Sequence, residues 1–400
     1  MQRYLSLYVH IPFCVVKCKY CDFLSFDGES YGTMLRYVDS LCQEIRLYEP
    51  IADEYIVRTI FIGGGTPSLL DESLITNILA FIRRVFVLDK DCEITVEANP
   101  GTLRHQKLNG YKAAGVNRLS IGLQSADDEL LKKLGRIHNF DQFVASFSAA
   151  RRAGFMNINV DVMSGLPGQS IHSYVETLSK VLDFAPEHIS AYSLQVEEGT
   201  PLAKDPELMA ELPPDMIDRR MYDITKQLLG AKGYDRYEIS NYAKAGYECR
   251  HNMVYWTGGE YVGFGIGAAS YFQGKRFSNI RGILDYIRLM EQAGDRFSDV
   301  KNLELLYNEI TKELRENVAP VYLYSRMEEF MFLGLRMMCG VSREDFAERF
   351  KKDIYEVYGP VLNHYIEQGY MAEIGDRIIL TERGIDVSNI ILADFILDKE

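Results

Sequence analysis

The strongest constraint on the fold of this chain is a sixfold alternation of strand-like and helix-like segments in its first half. Short runs rich in β-branched and aromatic residues are each followed by a segment with helical periodicity. The predicted strands are 4–11, 57–64, 93–99, 118–125, the strand and loop of 157–168, and 188–195. The predicted helices are about 31–48, 72–86, 103–115, 141–153, 173–182 and 215–232. This alternation favours an α/β fold with a parallel sheet built from right-handed βαβ units.

Six repeats are fewer than the eight of a closed barrel, so the pattern leaves both an incomplete barrel and a doubly wound sheet open. In either fold, ligands bind at the carboxyl ends of the strands. Residues suited to chemistry stand at or just after the predicted strand ends: the cysteines of CVVKCKYC, the GGGTP segment (63–67), Glu97, Gln124 and Asp161. Their common placement predicts one shared site.

Composition narrows the class of protein. The 400 residues carry a formal net charge of −13, which argues against non-specific nucleic-acid binding. The amino-terminal segment has neither the basic start nor the cleavage site of a signal peptide, and we expect a cytoplasmic protein. Seven cysteines without an export signal favour reduced thiols over a disulfide framework. Cys42, Cys92 and Cys339 are scattered, and we expect them to be buried apolar residues.

The other notable cysteines form one cluster. Cys14, Cys18 and Cys21 have the spacing C-x3-C-x2-C just after the first predicted strand. Incidental thiols would not be so dense, and a structural zinc site usually shows four ligands in paired units. The third interpretation is a [4Fe–4S] cluster with three protein thiolates, whose fourth iron stays open to a small molecule.

The string YVHIPFCVVKCKYCDF is similar to the signature of radical S-adenosylmethionine (SAM) enzymes, and the whole chain resembles one branch of them. That branch contains oxygen-independent coproporphyrinogen III oxidase and the related HemW-type heme chaperones. The resemblance implies a partial (β/α)6 barrel with a C-terminal helical domain. It also implies that SAM chelates the open iron and is cleaved on reduction to methionine and a 5′-deoxyadenosyl radical.

The resemblance further assigns cofactor contacts to single residues. Gly64, Gly65 and Thr66 match a glycine-rich motif that contacts the methionine end of SAM, where glycines let backbone N–H groups approach an anion. Glu97 suits the amino group, and Arg136 suits a carboxylate. The remaining matches are Gln124 and Asp161 for the ribose, Tyr8 for the cofactor, and Tyr20 beside the adenine or the cluster.

The segment CRHNMVYW contains a motif, HNxxYW, that resembles one characteristic of the heme-chaperone branch. The resemblance makes His251 the expected heme contact and Cys249 a second one, because both residue types ligate heme iron. From the residues alone, His251 is more simply a packed core histidine.

Two functions of different class follow, an oxidase that decarboxylates coproporphyrinogen III and a carrier that binds heme and delivers it to acceptor proteins, including membrane-bound ones. The oxidase pattern has a further cysteine where this chain has Phe23, and it has an amino-terminal arm for which we expect no room ahead of Tyr4. Both differences favour the chaperone, with SAM binding and without the oxidase reaction. Another radical reaction on a different substrate stays open, as do the oligomeric state and the identity of the acceptor.

The carboxyl-terminal part does not continue the alternation of strands and helices. It combines an apolar helix (321–338), a capping box of Ser342 and Asp345, a helix (about 353–368) and a hairpin turning at Gly375–Asp376, all typical of a winged-helix-like module. The negative net charge of the chain argues against DNA binding by this module. It favours a module that docks onto another part of the protein or covers its site. The predicted domains are 1–235 for the barrel, 236–318 for a connecting region and 319–400 for the C-terminal domain.

Overall fold

The computed structural model describes residues 3–297 and 303–397. The six predicted strands are present and pair in parallel in chain order, which confirms the α/β partial barrel. They are β1 (Arg3–Ile11), β2 (Tyr55–Gly64), β3 (Val87–Ala98), β4 (Arg118–Gln124), β5 (Ile158–Ser164) and β6 (His188–Ser193). The long helices that follow them are α1 (Tyr31–Leu47), α2 (Glu72–Val85), α3 (His105–Ala113), α4 (Phe140–Arg152), α5 (Ile171–Asp183) and α6 (Asp215–Gly230). Shorter helical segments are Glu49–Ala52, Pro67–Leu69, Asp128–Lys133 and Pro206–Ala210.

The sheet continues beyond the six predicted strands and has twelve strands within the described part of the chain. The added ones are β7 (Asp235–Arg236), β8 (Asn241–Ala243), β9 (Tyr261–Phe264), β10 (Ala269–Phe272), β11 (Lys275–Asn279) and β12 (Arg315–Pro320). β9 joins β1 in parallel, with Ser6 opposite Tyr261, and β10 to β12 extend that edge antiparallel. β8 and β7 extend the other edge beyond β6. The region expected to connect two domains thus supplies both edges of the barrel sheet.

The two faces of the central strands differ in character. In β4 all seven residues are buried, as expected for a parallel strand covered on both faces. Leu119, Ile121 and Leu123 belong to the apolar core, which extends from Leu5 to Leu314. Because side chains alternate along a strand, the opposite face of β4 presents Arg118, Ser120, Gly122 and Gln124. The concave side of the sheet is therefore polar, and it is where the predicted site residues lie.

The carboxyl-terminal part has its own apolar core, from Met327 to Phe395. It contains α10 (Leu323–Gly334), α11 (Arg343–Phe350), α12 (Ile354–Glu367) and a small antiparallel sheet of β13 (Val341–Ser342), β14 (Met371–Ile374) and β15 (Arg377–Leu380). The predicted hairpin is confirmed, and Ser342 caps α11 by accepting from the Asp345 N–H. Two short helices, Glu382–Asp386 and Ser388–Ala393, follow β15. The remaining helices are α7 (Arg250–Trp256), α8 (Ile283–Arg296) and α9 (Leu303–Leu314), and the last two contribute buried residues to the first core.

The exposure of the three scattered cysteines tests the prediction that they are buried. Cys42 and Cys92 are buried as expected, whereas Cys339 is exposed, so the prediction of a buried Cys339 was wrong. Cys339 follows the end of α10 in a turn and not on an element whose inner face is covered.

Across residues 3–297 and 303–397, no helix has both the length and the apolar character needed to cross a bilayer.

Candidate functional site

The three clustered cysteines lie on a loop at the carboxyl end of β1. Cys14 ends a two-residue strand, Phe13–Cys14, that pairs with Phe26–Asp27, and the other two thiols lie on the loop between them. The loop is tied down at its middle, where Lys19 N–H donates to the Leu134 carbonyl at 2.9 Å. All three thiols are partly exposed. The loop therefore presents three thiols at the edge of the sheet where ligands are expected.

Two polar side chains reach these thiols from neighbouring loops, one after β2 and one after the short helix Asp128–Lys133. Thr66 Oγ1 lies 3.6 Å from Cys14 Sγ, and Arg136 Nη1 lies 3.6 Å from Cys18 Sγ. Burial raises the pKa of the Cys14 and Cys21 thiols, and the Thr66 contact opposes the rise at Cys14. A hydroxyl and a guanidinium directed at sulfur stabilise thiolates, the form that ligates metals.

The spacing of the three thiols distinguishes a site for a single metal ion from a site for an iron–sulfur cluster. Within the described part of the chain, no three His, Cys, Asp or Glu side chains converge closely enough to hold a single metal ion. A [4Fe–4S] cluster takes one thiolate per iron, so its ligands need not meet at one point. An all-thiol donor set on one loop, with charge-stabilising neighbours, fits such a cluster.

The glycine-rich segment after β2 is shaped by close packing. A Cβ at Gly65 would lie 2.8 Å from the Phe13 carbonyl oxygen, and a Cβ at Gly64, where φ is +113°, would lie 2.6 Å from the His10 ring. The Gly65 and Thr66 N–H groups donate to the Ile11 and Phe13 carbonyls at 2.8 Å each. The Gly64 N–H donates to Glu97 Oε2 at 3.1 Å. These N–H groups already have partners inside the protein, so the glycines serve first to bring β2 against the cysteine loop.

Two carboxylates share the concave side of the sheet: Glu97 lies near the end of β3, whereas Asp161, expected at a strand end, lies in the middle of β5. Burial, then the charge of Asp161, raises the pKa of Glu97 to about 7. Burial also raises the pKa of Asp161, although Asn159 Nδ2 donates to Asp161 Oδ1 at 2.7 Å. Two carboxylates in a desolvated place favour a positively charged ligand, which would stabilise their ionised form.

Arg136 lies at the same edge and connects three elements. Its Nη2 donates to Asn99 Oδ1 at 2.8 Å and to the Gly122 carbonyl at 2.6 Å, while Nη1 faces Cys18. Its Nε is buried without a hydrogen-bond partner among the described residues. A buried unpaired donor is costly, so this N–H is available to a carboxylate ligand.

The other predicted contacts surround this arginine. Gln124 ends β4 with a left-handed φ of +70°, and its Oε1 accepts from the Tyr192 hydroxyl at 3.0 Å. Tyr20 packs with Tyr192 against Leu130 and Leu134, and burial raises its pKa. The structure thus brings the predicted residues from β1 to β5 together at one end of the barrel.

Sequence reasoning missed three residues of this site. His10 contacts Tyr8, since its Nδ1 lies 3.0 Å from the Tyr8 hydroxyl. Asn99 joins Thr66, to which its Nδ2 donates at 2.9 Å, and Arg136. Tyr192 contacts Gln124. His10 could have been found from the alternation in β1, which places residues 8 and 10 on one face.

His251 and Cys249 lie apart from the strand ends. His251 is 1% exposed, its Nδ1 lies 2.8 Å from Thr59 Oγ1, and its Nε2 lies 2.8 Å from the Tyr255 hydroxyl. Burial lowers the pKa of His251 to about 3. Thr59 is four residues before Gly63, roughly 13 Å back along β2 at strand geometry.

Both residues belong to the anchoring of α7. Glu93 accepts the backbone N–H of His251 at 3.0 Å, and Cys249, the residue before α7, is fully buried. A carboxylate at this position satisfies N–H groups at the start of a helix. Heme contact by either residue stays a prediction, and ligation by His251 would have to replace one of its hydrogen bonds.

Family models and curated relatives both match this chain, and together they cover nearly all of it. Residues 8–181 match the family described as the radical SAM superfamily, and residues 325–387 match the HemN C-terminal domain. The protein named heme chaperone HemW of Bacillus subtilis is 37% identical over 98% of this chain and 99% of that protein. The protein of the same name from Escherichia coli is 36% identical, with 98% of each chain covered.

A solved structure has a similar fold. Coproporphyrinogen III oxidase (HemN) from Escherichia coli, described as a radical SAM enzyme, matches with a TM-score of 0.81 over 99% of this chain and 90% of that chain. The sequence identity to that structure is 21%, so the likeness concerns the fold alone.

Proposed function

The chain belongs to the radical SAM superfamily and, within it, to the family of proteins named heme chaperone HemW; from this membership we propose that it binds heme and delivers it to acceptor proteins in the cytoplasm. The observation that carries the proposal is similarity along the whole chain, which includes the barrel, α7 and the C-terminal unit.

We further propose that Cys14, Cys18 and Cys21 hold a [4Fe–4S] cluster and that SAM binds beside it. When bound, the cluster supplies an open iron site and an electron to SAM. The donor set supports this proposal, because three thiols stand on one loop with Thr66 and Arg136 directed at two of them.

The residues of the barrel would orient SAM. Glu97 accepts only the Gly64 N–H within the described structure and is suited to receive an ammonium group. Arg136 retains an unpaired Nε–H for a carboxylate. Asp161 and Gln124 would hold the ribose hydroxyls, and Tyr8 and Tyr20 would contact the cofactor from the side of the cysteine loop.

The backbone of Gly64, Gly65 and Thr66 lies next to Cys14 and would border the bound SAM there. Since their N–H groups are engaged within the protein, their contact to SAM is proposed through shape and the Thr66 side chain.

The alternative is the oxidase reaction, which the similar fold alone would allow. Phe23, which stands where the oxidase has a further cysteine, is 66% exposed and lies beside the cysteine loop. A phenyl ring there supplies neither a proton nor a thiol for chemistry on a substrate. This difference favours the carrier.

One experiment separates the two functions. The chain is reconstituted anaerobically with iron and sulfide, then assayed for coproporphyrinogen III turnover, for hemin binding, and for transfer of bound heme to an apo-hemoprotein. Binding and transfer without turnover is the expected result. Turnover of coproporphyrinogen at the rate of an oxidase, or no hemin binding, would overturn the proposal.

A further inference from the structure

A cavity of about 260 Å³ lies between α7 and the C-terminal unit, away from the cysteine loop. Met253 and Trp256 of α7 line one side, and Phe330 of α10 and Phe350 of α11 line the other. Arg349 Nη1 donates to the Thr257 carbonyl at 3.0 Å and so joins the two walls. The cavity is therefore built by both parts of the chain.

The HNxxYW segment divides its residues between two faces of α7. His251 and Tyr255, one turn apart, face the barrel, where they contact Thr59 and each other. Met253 and Trp256 line the cavity. The motif thus anchors the helix with one face and presents an apolar surface with the other.

The lining of the cavity combines aromatic surface with positive charge. Arg326, Arg349 and Arg377 line it, and the Arg326 guanidinium lies 5.8 Å from the centre of the Phe350 ring. Two carboxylates also line it: Glu329, which is paired with Arg276 at 2.9 Å, and Asp345. The guanidinium groups therefore outnumber the carboxylates, and they suit a flat apolar molecule that carries carboxylates.

Three sulfur atoms add a further property. Met253, Met337 and the exposed Cys339 all line the cavity. Methionine thioethers and cysteine thiolates are both known ligands of heme iron. An apolar floor, arginines at the edge and sulfur on the walls together match an iron porphyrin with carboxylate side chains.

Building on the proposed function, we propose that this cavity holds one edge of the heme, with its carboxylates at Arg326 and the neighbouring arginines, and that His251 does not contact it. The volume is below the ~300–1,000 Å³ of sites that enclose a whole ligand of this kind. Most of the macrocycle would stay exposed, which leaves it accessible to an acceptor protein.

The test measures hemin affinity by absorbance titration of the full chain. Arg326 is the best position to change, because it is exposed and makes no ion pair with the residues described, so the side-chain contact that Arg326→Glu gives up is the one with the Phe350 ring. Arg220→Glu makes the same charge change at an exposed position outside the cavity and serves as the matched control. Circular dichroism melting confirms that each variant is folded.

We expect Arg326→Glu to weaken hemin binding about tenfold or more, because a charge-assisted contact becomes a repulsion. Arg220→Glu and His251→Gln should bind as the unmodified chain does. The difference at Arg326 should disappear with hemin dimethyl ester, which lacks the carboxylates. Hemin should also protect Cys339 from alkylation, measured by peptide mass spectrometry.

The outcomes distinguish a failure of the proposed heme-carrier function from a failure of the proposed heme site. If the unmodified chain binds no hemin, the proposed function itself fails, and this site fails with it. If the unmodified chain binds hemin but Arg326→Glu binds equally well, or if His251→Gln alone abolishes binding in a folded protein, the cavity is not the site.

Discussion

The hydroxyl of Tyr8 lies 3.0 Å from Nδ1 of His10, while Nε2 of the same ring lies 2.7 Å from the Leu24 carbonyl oxygen. A carbonyl only accepts, so Nε2 carries the proton and Nδ1 accepts the proton of the Tyr8 hydroxyl. Burial lowers the pKa of His10, which keeps the ring neutral. His10 therefore connects a barrel strand to the loop that bears the cysteines.

Replacement of this ring should loosen the loop. His10→Phe removes both hydrogen bonds and leaves two buried polar atoms, which we expect to lower the free energy of unfolding by about 1–3 kcal/mol. Iron content after anaerobic reconstitution should fall as well, because Leu24 is three residues from Cys21. His105→Phe, at an exposed helical position, is the control and should change neither quantity. Equal urea midpoints and equal iron content in the two variants would show that His10 has no such role.

The close packing of Gly64 on His10 gives a second prediction. Gly64→Ala combines an unfavourable φ of +113° with a Cβ placed 2.6 Å from the imidazole, so the ring or the strand must move. Gly274→Ala is the matched control, since Gly274 has a φ of +71° and open space around its Cβ position. We expect Gly274→Ala to cost roughly 1 kcal/mol from backbone strain and Gly64→Ala to cost more than twice as much. Thermal melting of both variants measures the difference, and similar melting temperatures would contradict the packing argument.

The sequence was informative where local patterns decide structure, as in β1 to β6 and the C-terminal hairpin. Cys14, Glu97 and Asp161 could be placed near each other because parallel strands end at a common edge. β7 to β12 were missed because most are only two to five residues long, too short for a periodic pattern, and because β8, β9 and β12 pair with strands far away in the chain. Local patterns also could not show the environment of His251, because its ring is buried against Thr59, on a strand almost two hundred residues earlier in the chain. A motif identifies a residue, but only packing shows which way its side chain faces.

The buried state of His251 predicts a pH dependence of stability. Its pKa is about 3 in the folded protein, against about 6.5 when unfolded, so between these values the unfolded chain binds the extra proton. The stability that neutral His251 contributes is therefore fully present above about pH 6.5 and is lost as the pH falls below it. Relative to His251→Gln, the unmodified chain should lose up to about 1.4 kcal/mol per pH unit between pH 6 and pH 4.

Urea unfolding at several pH values measures this difference in slope. Glu93 and Arg118, which surround residue 251, are present in both proteins, so the comparison isolates the effect of His251. Parallel stability curves for the two proteins would show that His251 is protonated in the folded state or is not buried there.

The carboxylate of Glu97 predicts how SAM binding depends on pH. Its pKa of about 7 without ligand reflects burial and the nearby charge of Asp161. An ammonium group bound there favours the ionised carboxylate, so binding should release up to one proton when the pH is below about 7. Affinity for SAM should then rise as the pH increases from 6 to 8 and level off above the pKa.

Glu97→Gln should weaken binding about tenfold or more, because a charged hydrogen bond is lost, and should flatten this pH profile over the same range. Glu129→Gln, at an exposed position on a short helix, is the control and should keep the slope. Isothermal titration in two buffers with different ionisation enthalpies measures both the affinity and the protons released. A slope that persists in Glu97→Gln would assign the titration to Asp161 or to another group, and would remove Glu97 from contact with the amino group.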